Sequence, residues 1–299
     1  MTYTDPQSSR GMWVFCTSKD NDSMEDKKPL YHYTSQKGLL GILQTQKLWM
    51  TNILYLNDSS EFKYTIDLVT SEIKNRKEQL EKKGLPLLPY RGDLYDRYNT
   101  VERVFDILSG EIPTQSYVFS LSTKENDLNQ WRGYCPKEGG FSVGFDYKKL
   151  SSIVGDMNKK EDEGRYEIRE CIYKKQVQME SVKQLIGIID NKDTNKKLFY
   201  TELVNISSYF KDESFRYENE YRIIRYGIPK LKEIEYREGK STIIPYIEFS
   251  PVDKLPISKI FVGPTPHPKL SKSSVKSLLE SNGYEDVEVD ISKIPYRSW

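Results

Sequence analysis

From Pro29 onward the chain breaks into segments whose apolar positions recur with one of two periods. LYHYT (30–34), QSYVFSLST (115–123) and GGFSVGFDY (139–147) read as strands, the last after a glycine turn. YEIRECIYK (166–174), ENEYRIIRYG (218–227) and STIIPYIEF (241–249) follow the same pattern, and KIFVGP (259–264) and VEVDIS (287–292) close it. Between them lie segments of helical period. Ser35 is placed to cap a helix whose apolar face is Leu39, Leu40, Ile42 and Leu43. Residues 59–83 form a long amphipathic helix with Phe62, Ile66, Val69 and Ile73 in register. Further helices are expected over 93–109, over NDLNQWRGY (126–134) with Asn126 or Asp127 as cap, over 176–210, and over 267–284 with Gly283 as the stop. DMNKKEDEG (156–164) reads as a polar loop. Helices dominate the first third and strands the rest, which predicts an α+β domain.

Composition narrows the class. The 299 residues are 30% charged and 37% hydrophobic, enough for a substantial core under a charged surface. Lys+Arg number 45 against Asp+Glu 44, so net charge gives no argument for nucleic acid or membrane. The 22 tyrosines offer flat faces with a polar tip, useful either at half-buried strand positions or for stacking on bases and sugars. Three scattered cysteines (Cys16, Cys135, Cys171) make neither a disulfide framework nor a zinc site. No apolar run approaches the roughly 20 residues a membrane span needs, and no leader pattern is seen, so a cytoplasmic protein without membrane contact is expected. Residues 1–28 end in KDNDSMEDKK and read as an extension or linker, with Trp13–Cys16 a candidate edge strand; residues 29–299 read as a single domain.

Candidate chemistry concentrates in a few places. In FRYENEYRIIRY (215–226), a strand would put Glu218, Glu220 and Arg222 on one face. The bland alternative is a salt-bridge row, or an i,i+4 Glu218–Arg222 pair on a helix. The functional one is a carboxylate pair that takes ligand hydroxyls and stabilises positive charge developing on a sugar. His32 stands among hydroxyls at the end of a strand and just before a helix N-terminus, whereas His267 lies in a proline-rich loop. NDSSE (57–61) reads as a helix-capping turn at Asp58 or Ser59. Ser120 and Ser122 share a strand face, followed by Gln130, Trp131 and Tyr134, with ordinary packing of Trp131 in the core as the alternative. No dinucleotide fingerprint, phosphate-binding loop, nucleophile elbow or kinase signature is present, and no metal site is expected.

The order LYHYTSQKGLLGIL, LYLNDSSEF, FSLSTKENDLNQWRGY with GGFSVGFD, FRYENEYRIIR, IFVGP and ISKIPYRS resembles the domain of unknown function 2971 family, over residues 29–297. That family in turn resembles the ADP-ribosyltransferase fold. The resemblance implies a split, mostly antiparallel sheet flanked by helices, with NAD clamped in a central cleft as a substrate and no metal. It implies Glu220 as the catalytic carboxylate, Glu218 as the group that orients or deprotonates the nucleophile, and His32 as donor to a ribose hydroxyl. Tyr33, Thr34, Ser120, Ser122, Trp131 and Arg222 would contact the cofactor, with Tyr33, Tyr134 or Trp131 against nicotinamide. The implied activity is transfer of ADP-ribose to a nucleic-acid base or protein side chain, in a bacterial toxin or phage-defence setting controlled by an antitoxin or other regulatory partner. A NAD glycohydrolase and a non-catalytic nucleotide-sensing or interaction module are the alternatives.

Overall fold

The computed structural model describes residues 28–56, 60–82, 97–99, 101, 116–137, 139–159, 164–190 and 196–296. Among these, ten strands form one sheet, antiparallel except where β9 meets β10. In chain order the elements are β1 (Leu30–Thr34), α1 (Gln36–Thr45), β2 (Leu48–Asn52), α2 (Ser60–Lys82), β3 (Ser116–Ser122), α3 (Leu128–Tyr134) and β4 (Phe141–Phe145). Then come α4 (Tyr147–Met157), β5 (Arg165–Glu170), α5 (Lys175–Asp190), α6 (Lys196–Ser207), β6 (Glu220–Tyr226), β7 (Glu235–Glu238), β8 (Ile243–Phe249), β9 (Ile257–Val262), α7 (Pro268–Ser281) and β10 (Glu288–Ile291). Fold class is therefore α+β, with helices and strands interleaved throughout rather than segregated along the chain.

The expected caps are in place where they are described. The Ser35 hydroxyl accepts from Gly38 N at 3.1 Å, and the Asp127 carboxylate accepts from Asn129 N and Gln130 N. Gly283, at φ +72°, ends α7. The Asp58 and Ser59 cap and most of the helix expected over 93–109 lie outside the described residues. Helix α4 was not anticipated, although its signal is present: Asp146 caps it through Lys149 N, and Leu150, Val154 and Met157 bury one face. Edge strand β7 was also missed, because EYRE carries one apolar position in four and depends on β8 for its extended form.

Strand β3 is the pivot of the sheet. One edge pairs with β6 along its full length, from Ser116↔Tyr226 to Ser122↔Glu220. The other edge is shared: β2 takes Tyr117 and Val118, β1 takes Ser122, and Phe119, Ser120 and Leu121 fall between them. There the sheet parts into two arms, β1–β4–β9–β10 and β2–β8–β7. Alternation along β3 and β6 divides the core. Tyr117, Phe119, Leu121 and Ile223 pack with α1, α4 and α7, while Val118, Ile224 and Tyr226 pack with α2, α5 and α6. Each fully buried aliphatic or aromatic side chain contributes about 1.5–3 kcal/mol, so both layers hold the pivot strands rigidly.

Candidate active site

Where β1 leaves β3, a small cavity of about 50 Å³ opens. Its strand-borne lining is His32, Ser120, Ser122 and Glu220; Gln130 and Tyr134 come from α3, and Glu218 from the turn before β6. Tyr31, Tyr33 and Leu121 complete it. Residues from three adjacent strands thus meet at the split.

The two glutamates arrive differently from the sequence expectation. Glu220 and Arg222 share a strand face, but Glu218 is the last residue of a 3-10 turn (Glu213–Glu218), not of the strand. Asp212 caps that turn through Ser214 N, and Asn219 ends it in the left-handed region at φ 45°, which asparagine tolerates better than most residues. This reversal brings Glu218 back beside Glu220. Its carbonyl accepts from Ser122 Oγ at 2.6 Å and from Gln130 Nε2 at 3.3 Å, so the Ser122 hydroxyl holds the turn. Its carboxylate accepts from Tyr134 Oη at 2.8 Å and from Lys211 Nζ.

Behind the cavity lies a buried ion network of three carboxylates (Glu61, Glu218, Glu220) and two cations (Lys211, Arg222). Arg222, 1% exposed, donates from Nε to Glu220 Oε1 at 2.8 Å. Its Nη1 goes to Ser208 O at 2.9 Å, and its Nη2 to Glu61 at 2.8 and 3.0 Å and to Glu220 Oε2 at 3.1 Å. Lys211 Nζ adds a 2.7 Å bond to Glu220 Oε2. Burial by itself would raise the Glu220 carboxyl, but Arg222 and Lys211 more than offset it and hold it down at about 2. Burial raises the carboxyl of Glu61, in the first turn of α2, and Arg222 only partly opposes this. Burial opposes the charge of Lys211, and the Glu220 and Glu61 carboxylates keep it protonated. A carboxylate offers about four lone-pair sites. Among the described residues three on Glu220 are taken, leaving one on Oε1 open.

His32 plugs the split. Its Nδ1 lies 2.9 Å from Ser120 O, in the stretch of β3 that neither β1 nor β2 pairs, and its ring stacks on Phe119 at 4.2 Å. A carbonyl can only accept, so Nδ1 carries the proton. Desolvation lowers the imidazole to about 4, so it is neutral and Nε2 is an acceptor. With Nδ1–H given to Ser120 O, the neutral ring has no second proton for the donor role expected of His32.

Three of the expected cofactor contacts are not in the cavity lining. Trp131 is 2% exposed in an aromatic cluster with Tyr31, Tyr33 and Phe261, its Nε1–H given to Asn126 Oδ1, because the apolar indole occupies the inward face of α3. Arg222 sits behind Glu220 and is consumed by carboxylates. Thr34 lies against Gly38, whose hydrogen leaves room for the Thr34 hydroxyl. Tyr33 does line the cavity, but its hydroxyl donates to Lys124 O and accepts from Asp127 N, pinning the loop ahead of α3. Tyr134, 39% exposed, is the aromatic best placed to meet a ligand. His267 is exposed and uninvolved in the cavity. Sequence reasoning missed Lys211, and noted Glu61 only as the end of the NDSSE polar cluster. The first reads as an ordinary charge at the start of a polar loop, the second as an acid in a helix's first turn. Among the described residues no group of His, Cys, Asp or Glu could hold a metal ion, and no helix is long and apolar enough to cross a membrane.

The fold and site define an α+β protein with a split, mostly antiparallel sheet and an acidic, tyrosine-lined cavity at the split. Residues 130–223, from α3 through the start of β6, match the model of a family described as protein of unknown function (DUF2971), the family the ordered motifs resemble. No curated protein and no solved structure matches the chain.

Proposed function

We propose that the protein transfers ADP-ribose from NAD to a macromolecular acceptor. The observation that carries this reading is the convergence of His32, Ser120 and Glu220, from three adjacent strands, on one cavity. The bond between the nicotinamide nitrogen and ribose C1′ breaks, and nicotinamide leaves with the bonding pair. The acceptor's nucleophilic atom bonds to C1′ and loses its proton. Glu220, held ionised, has an open acceptor site on Oε1 for a ribose hydroxyl and stabilises the charge that grows on the ribose. His32 Nε2 would accept a second hydroxyl, and Glu218, bonded to Tyr134 in the cavity lining, would orient the nucleophile and take its proton. Among the described residues the polar lining is of tyrosine, serine, glutamine, glutamate and the neutral His32, side chains that suit ribose hydroxyls and the positively charged nicotinamide ring. In the toxin or phage-defence setting the resemblance implies, a regulatory partner would restrain this activity.

The test is incubation with adenylate-labelled NAD and a cell lysate, fractionated into protein and nucleic acid, alongside Glu220→Gln. Label should enter one fraction, and the substitution should lower transfer by about 100-fold or more. Free ADP-ribose without labelled macromolecule would replace transfer by hydrolysis. Full turnover by Glu220→Gln would remove the glutamate from the chemistry.

A further inference from the structure

The two carboxylates at the cavity should repel one another, and the structure shows what prevents it. Lys211 Nζ bonds Oε2 of Glu218 and, at 2.7 Å, Oε2 of Glu220; Glu61 Oε1 lies 3.3 Å away on its third side. An ammonium has three N–H donors, and three carboxylates surround this one. The backbone is as firmly placed as the side chain. Lys211 N donates to Ile172 O at 3.1 Å, and Lys211 O accepts from Gln178 Nε2 at 2.9 Å. Gln178 is fully buried and accepts from Tyr64 Oη at 2.7 Å, one helical turn along α2 from Glu61. One clamp therefore sets both the lysine and the glutamate behind it.

We propose that Lys211 is the positioning residue of this site: its ammonium ties Glu218 and Glu220 into a single unit facing the cavity, with Glu61 as the tether that fixes the ammonium from behind. The proposal rests on the reading of the cavity as an ADP-ribosyl transfer site. Lys211 does not line the cavity and acts through the carboxylates. The charged and titratable groups facing Glu220 are Arg222 from its own strand, Lys211, Glu61 from α2 and Glu218 from the turn. Cys171 and Tyr173 approach it from beyond β5, Tyr134 from α3, and His32 shares the cavity.

Lys211→Met alone would leave three carboxylates against one guanidinium, an imbalance that works against folding as well as against positioning. The decisive protein is the double variant Lys211→Met/Glu61→Gln, which restores the network's net charge of minus one while removing the bridge. NAD turnover is measured across pH, with folding checked by circular dichroism. The expected result is a folded protein whose kcat falls about tenfold or more with KM little changed. The acid limb of its pH profile should move up by about one unit, as expected when a cation is taken from a carboxylate. Lys211→Arg should recover part of the rate. Wild-type kcat and an unmoved acid limb in the folded double variant would overturn the proposal. If the wild type itself turns over no NAD, the functional reading fails separately. Carboxyl-carbon NMR titration of Glu220 in the two proteins then decides the inference: an upward shift of about one unit supports it, and coincident curves overturn it.

Discussion

Arg222→Met tests the buried network as a determinant of stability. Methionine fills much of the arginine stem's volume and provides none of its donors. Lost are the bonds to Glu220 Oε1 (2.8 Å) and Oε2 (3.1 Å), to Glu61 (2.8 and 3.0 Å) and to Ser208 O (2.9 Å). Removing one partner of a buried ion pair costs about 3–5 kcal/mol, because the other charge remains desolvated. The orphaned Ser208 carbonyl, in a fully buried residue, adds about 1 kcal/mol. The sum is about 4–6 kcal/mol, read as a fall in the urea midpoint by tryptophan fluorescence. At about 2–4 °C per kcal/mol it corresponds to a melting point roughly 10–20 °C lower. The cause is an uncompensated carboxylate rather than a cavity, so Arg222→Met/Glu220→Met, which restores the charge balance, should be more stable than Arg222→Met alone. A loss below about 1 kcal/mol for the single variant, or a double variant no better than the single, would refute the reasoning.

His32 should titrate at about 4 rather than near its ordinary 6.5, because burial disfavours the charged ring; a ring-proton NMR titration near 6.5 would contradict this. The sign for stability follows: between pH 6.5 and 4 the unfolded chain takes up a proton that the folded ring refuses, so this residue's contribution falls as pH falls. Gly140→Ala should destabilise by about 1–3 kcal/mol, since its Cβ would stand 2.4 Å from Cys135 Sγ and 2.8 Å from Thr34 O, the second a backbone atom that cannot step aside. Gly187→Ala, on the exposed face of α5 with nothing within 4 Å among the described residues, should instead stabilise by about 0.4–1 kcal/mol; chemical denaturation of both variants checks the pair.

Local patterns carried most of the secondary structure. Period-two runs became strands and capped amphipathic runs became helices, because those signals act over a few residues and do not depend on distant partners. Helix α4 was legible too, through Asp146 and the Leu150–Val154–Met157 face, and was overlooked in favour of the charged tail that follows it. The site was legible in its parts: His32, Ser120, Glu218 and Glu220 were singled out, and all four line one cavity. Trp131 and Arg222 were expected at the cofactor, with core packing the alternative for Trp131 and pairing with a glutamate the alternative for Arg222; Trp131 packs in the aromatic cluster and Arg222 pairs with Glu220 and Glu61. Residue type alone cannot distinguish a ring that faces a ligand from one that faces the core, or a guanidinium beside a carboxylate from one behind it.

The amino-acid sequence by itself determined the α+β class and the residues available for chemistry. Only the tertiary structure decided that β1 and β2 share one edge of β3, so that the sheet splits and leaves Ser120 O for His32 to occupy. It also brought Glu61, some 160 residues earlier in the chain, to Arg222 and Lys211. Electrostatic partnership of this kind depends on distance and desolvation, and both are set by how the layers stack rather than by the order of residues along the chain.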